Sequence, residues 1–260
     1  MIGGIFAIIV LDLKRFWVDR TRLVAGLVQP LLYLFVLGAG IGASSRMGGG
    51  DYRRFIYPGT MGLSLLFSAT FSAITIVFDR QIGFFKAVLV APVPRPAIAI
   101  GKIVAGAIQA MAQGVILRPF APLAGAPLGP LQVVEMLGAM AMASLTFSTI
   151  GVAFACRFTS TTVFPIVSNA VLLPMFFLSG GLYPLRQAPD WMQVAAHLDP
   201  VAYAVDLMRG AVTGSFYFPV PLSLGALLLT MSLLVWAAVR VFNRGEDDSG
   251  LGASNFNWRR

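Results

Sequence analysis

FIYPGTMGLSLLFSATFSAITIVF, residues 55–78, runs for 24 residues without one Asp, Glu, Lys, Arg or His. As an α-helix it would be about 36 Å long, more than the roughly 30 Å of bilayer hydrocarbon. Four further stretches, 23–45, 136–156, 158–185 and 210–239, are equally free of charge. A sixth, 97–117, holds only Lys102, one turn from its start. A long side chain there is expected to snorkel its ammonium back to the headgroups. The fold class expected is an all-α polytopic membrane protein with six transmembrane helices, at about 23–45, 57–78, 97–117, 134–156, 162–183 and 218–240.

Composition agrees with this, at 57% hydrophobic and 12% charged residues and a mean hydropathy of +0.81. Soluble proteins carry about 25% charged residues. The segments outside the spans are too short to bury a core of their own, so residues 1–260 read as a single transmembrane domain. The single cysteine, Cys156, forms no internal disulfide or metal cluster and reads as a small packing residue. A net charge of +8 raises nucleic acid as a partner, but its distribution argues for membrane lipid instead. Thirteen basic residues fall on the side of the N-terminus and six on the other: Arg46, Arg53, Arg54, Arg118, Arg186 and Arg209. By the positive-inside rule both termini are cytoplasmic, the tail 241–260 included. Sixteen Arg against three Lys, with 27 Gly, suit a GC-rich bacterial coding sequence, and hence a bacterial plasma (inner) membrane. Trp17, Tyr52, Tyr57, Tyr183, Trp191, Tyr203 and Tyr217 fall near the predicted interfaces, as membrane-belt aromatics do.

In residues 1–22 the charges follow the apolar run rather than precede it, unlike a signal peptide. Asp12, Arg15, Asp19 and Arg22 recur at steps of three and four opposite Ile5, Ile9 and Phe16, the pattern of an interfacial helix. A charged lead-in that only sets orientation has the same pattern. Residues 79–96, between the second and third spans, read as a short helix starting near Asp79 and stopped by Pro92, Pro94 and Pro96. Its apolar residues Ile82, Phe85, Val88 and Leu89 suit either lipid or a groove on a partner protein.

After the fifth span, Ser179-Gly180-Gly181 breaks the apolar run. Asp190 before Trp191 and Asp199 before Pro200 both read as helix N-caps, so 184–215 is expected to form two short outer helices. The later one, about 200–212, carries Asp206 and Arg209 in an otherwise apolar run, which suits a re-entrant element. His197 stands alone, so it reads as a hydrogen-bonded interface residue rather than a metal ligand.

These residues resemble the type-2 ATP-binding-cassette exporter permeases over essentially the whole chain. The similarity rests on the charged N-terminus, the spans, Ala91-Pro92-Val93, Gly101-Lys102, and above all a late series. That series is Phe164-Pro165, Asn169, Pro174, Phe176-Phe177-Leu178-Ser179-Gly180, Tyr183-Pro184, Pro189, Trp191, Asp199-Pro200, Tyr203 and Arg209. The subgroup most similar is the drug-resistance, daunorubicin-exporter kind. The chain departs from the pattern at Gln81 and Ala87, where glutamate is frequent, and at Arg118, where an apolar residue is expected.

The resemblance implies a transmembrane permease subunit that exports an amphipathic drug, lipid or lipid-linked glycan. It also implies a separate ATPase subunit binding Mg-ATP and a second permease, identical or related. The chain itself contains no Gly-x-x-x-x-Gly-Lys-Ser/Thr phosphate loop and is not expected to be an enzyme. On the family pattern, residues 79–96 form the coupling helix, with Asp79, Arg80, Gln81, Phe84, Phe85, Lys86, Leu89, Pro92 and Arg95 meeting the ATPase. The substrate pathway is expected along Phe67, Thr70, Phe71, Ser168, Asn169, Phe176, Phe177 and Ser179. Asn169 suits a helix-to-helix hydrogen bond as well as substrate contact. The outer helices would act through Asp190, Trp191, Asp199, Tyr203, Asp206 and Arg209. An ion-coupled secondary transporter would need an ionisable group within a span, and only Lys102 and Glu135 stand at boundaries. A non-catalytic membrane scaffold is compatible with the composition.

Overall fold

The computed structural model describes residues 2–40, 49–82 and 95–244. Every regular element among them is helical. In chain order these are α1 (Ile2–Val18), α2 (Arg20–Leu32) running into a π-helical turn (Tyr33–Leu37), α3 (Gly49–Ser72), α4 (Ile74–Gln81), α5 (Arg95–Leu117) and α6 (Pro130–Ala155). They continue as α7 (Val163–Leu178), α8 (Asp190–Leu198), α9 (Pro200–Thr213) and α10 (Val220–Arg244).

Among the described residues four helical stretches are long and apolar enough to cross a membrane: Tyr52–Gln81, Pro96–Phe120, Pro130–Ala155 and Val220–Val241. Gly26–Gly40 and Val163–Leu178, at the places of the expected first and fifth spans, are apolar but shorter. The second span extends beyond 57–78 in both directions, through α3 and α4. It breaks at Ala73, where Ser72 and Thr75 hydroxyls bond the carbonyls of Ala69 and Ser72 at 2.7 and 3.0 Å, a known way to unsettle the helical ladder. Asp79 therefore lies inside the last turns of that span. The expectation of a new helix starting near Asp79 is corrected, because the apolar ladder from Ile74 carries the helix on to Gln81. The third span ends at Leu117, and Arg118 opens a 3₁₀ turn closed by prolines.

The core is the contact of α3, α5 and α6, with α9 wedged between α3 and α6 at one end. The closest crossing is at Gly151. A Cβ there would stand 2.6 Å from the Thr70 Cα and 2.7 Å from its carbonyl oxygen, so the backbones of α3 and α6 meet directly. In contrast, α10 covers α6 with one edge and shows Leu229, Leu233 and Trp236 outward. With only 17% of its span buried, it reads as a lipid-facing helix.

α1 packs along α5 in an unexpected orientation. The polar stripe does not face water throughout: Asp12 is buried beside Phe16, while Phe6 and Trp17 are exposed. The amphipathic pattern is real, but part of its polar edge is turned to a partner inside the protein.

Candidate functional site

The second, third and N-terminal helices meet in a buried ion cluster. Lys102 on α5 sends its ammonium to Asp12 Oδ1 at 3.0 Å, Asp79 Oδ2 at 3.1 Å and Thr75 Oγ1 at 3.1 Å. Its three N–H donors thus have three acceptors. Arg15 adds a second cation, 3.0 Å from Asp79 Oδ1 and 3.9 Å from Asp12 Oδ1. Gln109 also donates to the Asp12 carbonyl at 3.3 Å.

Asp12 and Arg15 lie one turn apart on α1, and Thr75 and Asp79 one turn apart on α4, so each helix presents a carboxylate to Lys102, with Thr75 as a third acceptor and Arg15 bridging the two carboxylates. Lys102 is only 7% exposed. The expectation that it snorkels to the headgroups is therefore corrected: two carboxylates inside the protein hold the ammonium more strongly than the route to water would.

The next two residues clamp the other side of the same helix end. Arg80 donates to the carbonyls of Cys156 and Phe158 at 3.2 and 3.4 Å, and Thr161 donates to Gln81 Oε1 at 3.0 Å. The start of the segment from 79 is thus fastened to α1, α5 and the turn between α6 and α7. Asp79, Arg80 and Gln81 all engage groups of this chain. Phe84, Phe85, Lys86, Leu89 and Pro92 lie outside the described residues, and Arg95 opens α5.

The eight residues expected along a pathway are not brought together around one cavity. Thr70, Ser168, Phe176 and Ser179 are buried in the core, Thr70 with its hydroxyl toward the Phe147 carbonyl at 3.5 Å. Phe67 and Phe71 are half-buried, their rings 5.7 Å apart. Asn169 and Phe177 are exposed on α7. α7 accordingly has two faces: Phe164, Ser168, Leu172 and Phe176 turn inward, while Ile166, Asn169 and Phe177 turn out.

At the end away from the ion cluster the chain builds a cap. α7 stops at Leu178 and turns through Gly180, whose φ of 71° places it in the left-handed region. Arg209 Nη2 donates to the Gly180 carbonyl at 2.7 Å, with its guanidinium 4.2 Å from the centre of the Phe55 ring. Gly59 lies so close to Gly181 that no side chain fits between them. Asp206 accepts the amides of Tyr217 and Phe218 at 2.9 Å each, folding 214–218 back over α9. Val201 through Val212 are all buried against the rest of the chain.

Asp199 caps α9 by accepting the Val201 amide at 2.9 Å, with Pro200 in the first helical position. Burial pushes the Asp199 carboxyl up to about 7 against the pull of that amide. Asp190 is not the cap of α8 as expected. Pro189 holds that position and Asp190 sits in the first turn, where its charge still favours the helix dipole.

Trp191 is exposed, whereas four tyrosines expected at the membrane belt point inward to partners. Tyr52, Tyr203 and Tyr217 bond Leu182 O, His197 O and Gln193 Oε1 at 2.8–3.0 Å, and Tyr57 is fully buried. Each hydroxyl is more usefully placed closing the cap than reaching for headgroups. His197 bonds the Gln193 carbonyl at 2.7 Å and meets the Phe218 ring edge-on. Among the described residues no group of His, Cys, Asp and Glu is arranged to hold a metal ion.

Residues 4–213 match the model of the ABC-2 type transporter family. Nodulation protein J of Rhizobium leguminosarum bv. trifolii is 30% identical over 228 residues, covering 85% of this chain and 86% of the relative. The inner membrane transport permease YadH of Escherichia coli K12 is 26% identical, over 87% of this chain and 89% of its own length. The putative transport permease ycf38 of Cyanophora paradoxa is 26% identical, over 75% and 71%. With its apolar helices and buried inter-helix contacts, the chain belongs to the ABC-2 type transporter family and is a multi-pass membrane permease.

Proposed function

We propose that this permease is the transmembrane half of an ATP-driven exporter. A separate ATP-binding-cassette subunit hydrolyses Mg-ATP, and a second permease completes the pathway. The observation that carries this reading is the ion cluster. It ties the start of segment 79–96 to the N-terminal helix and the third span through Asp79, Lys102, Asp12 and Arg15. A push on residues 83–94 from an ATPase would be transmitted into α4 and α5 together, because a buried ion pair resists separation. Asp79, Arg80 and Gln81 then act by anchoring the coupling segment, and the ATPase contact falls to Phe84, Phe85, Lys86, Leu89, Pro92 and Arg95.

The outward face of α7 supports a second permease. An amide such as Asn169 facing hydrocarbon costs free energy unless it finds a partner. The face with Ile166, Asn169 and Phe177 is the surface on which a second copy, and a substrate between the copies, would lie. The sixteen residues of α7 reach only about 24 Å. The re-entrant α8 and α9 supply the remaining depth, so six spans with both termini in the cytoplasm are compatible with two short ones. A bacterial inner-membrane location follows the same topology. The substrate class we assign is amphipathic: a drug, lipid or lipid-linked glycan.

The test is Phe85→Glu in vesicles reconstituted with the partner ATPase. Hydrolysis that continues while transport is lost supports the coupling role. Full transport by a correctly inserted variant contradicts it.

A further inference from the structure

Between α6, α7 and α10 lies an apolar slot of about 430 Å³, walled by Ala153, Phe154, Val167, Val171, Ala237 and Val241. It is separate from the ion cluster and from the outward face of α7 that carries Asn169. Its one charged lining residue is Arg157, just past the end of α6 at the membrane boundary. The Arg157 side chain is exposed and bonds no acceptor among the described residues. Among the described residues no acidic side chain lines the slot. Nearby, Arg80 already occupies the carbonyls of Cys156 and Phe158, and the neighbouring Asp79 is taken up by Lys102 and Arg15. Among the described residues, what is left is a guanidinium above a mostly apolar slot, with no acidic side chain bonded to it.

We propose that this slot holds one acyl chain of an anionic phospholipid, with the lipid phosphate on Arg157. Charge complementarity selects the occupant. A guanidinium offers paired donors in the geometry of a phosphate, and the mainly apolar side chains of the slot suit an acyl tail. A zwitterionic lipid would bring its own cation beside Arg157 and gain less. The lipid would join α10, which packs on α6, α9 and α5, to α7. The site on the cytoplasmic leaflet rests on the topology proposed above, whereas the chemistry of the slot does not.

The experiment is native mass spectrometry of the purified full-length chain, with any partner subunits that accompany it. The chain is offered equal amounts of phosphatidylglycerol and phosphatidylcholine with identical tails. Wild type is expected to retain phosphatidylglycerol in about tenfold preference, the value of one charge-assisted contact. Arg157→Gln should bring the ratio to about one, and Arg157→Lys should keep most of the preference. Ala153→Leu, which fills the slot, should lower retention of both lipids.

Equal retention by wild type, or a preference that survives Arg157→Gln, overturns the proposal. Disulfide crosslinking of Val171→Cys between two copies also overturns it, by making the slot a protein interface. Because the readout is lipid binding, failure leaves the transport reading untouched, and loss of transport in Phe85→Glu leaves the slot untouched.

Discussion

Lys102→Met removes the cation from between two buried carboxylates while keeping the length of the side chain. Asp12 and Asp79 are 3% and 4% exposed, so neither recovers much hydration when the ammonium goes. At an effective dielectric of about 20, each contact near 3 Å is worth about 5 kcal/mol of Coulomb attraction, most of it offset by desolvation of the charges. Breaking a buried pair from one side typically costs about 3–5 kcal/mol.

Arg15 remains 3.0 Å from Asp79 and 3.9 Å from Asp12, which holds the loss toward the lower end, about 3 kcal/mol. Equilibrium unfolding in mixed micelles of mild detergent and SDS measures it. The combined variant Asp12→Asn/Asp79→Asn/Lys102→Met removes the three buried charges together, and should recover more than half of that loss. A loss below about 0.5 kcal/mol for Lys102→Met, the range of a surface charge, refutes the reasoning. So does a triple variant less stable than the single one.

Gly151→Val drives a side chain into the Thr70 backbone and is expected to cost at least about 1–3 kcal/mol in the same assay, whereas Gly138→Val, with open space around it, should be neutral. Arg209→Met removes both the Gly180 contact and the Phe55 stacking, and should cost about 3 kcal/mol and open the outer cap to added protease. Asp199 gives a pH dependence of known sign. Its folded carboxyl titrates near 7 and an unfolded one near 3.8, so the folded state holds the extra proton between those values and loses stability as pH rises through them. About 2 kcal/mol should disappear between about pH 5.5 and about pH 8, and Asp199→Asn, which still accepts the Val201 amide, should flatten that slope.

The apolar spans were legible because lipid imposes a condition that each segment meets on its own, and charge-free runs such as 55–78 and 136–156 record it directly. Local chemistry was equally readable where it is complete within a few residues: Asp199-Pro200 opens a helix, and Ser179-Gly180 closes one. The buried cluster was not legible. Hydropathy treats a lysine near a span end as bound for water, and the carboxylates that hold Lys102 stand 90 and 23 residues away in the chain. The spacing of Thr75 and Asp79, one turn apart at the end of a span, was the one local hint. Nor did position near an interface say that the Tyr52 and Tyr203 hydroxyls bond the carbonyls of Leu182 and His197. Asn169 marked a polar spot in an apolar helix, and the fold leaves it exposed.

The most direct measurement is purification of the tagged, full-length permease from its native membrane in mild detergent, with mass-spectrometric identification of what remains bound and an assay of Mg-ATP hydrolysis. An ATP-driven exporter predicts an ATPase carrying the Gly-x-x-x-x-Gly-Lys-Ser/Thr phosphate loop, held in fixed stoichiometry, hydrolysing ATP and released by Phe85→Glu or uncoupled by it. A preparation free of any such ATPase, even after crosslinking in the membrane, contradicts that assignment and leaves the ion-coupled carrier or the scaffold in its place.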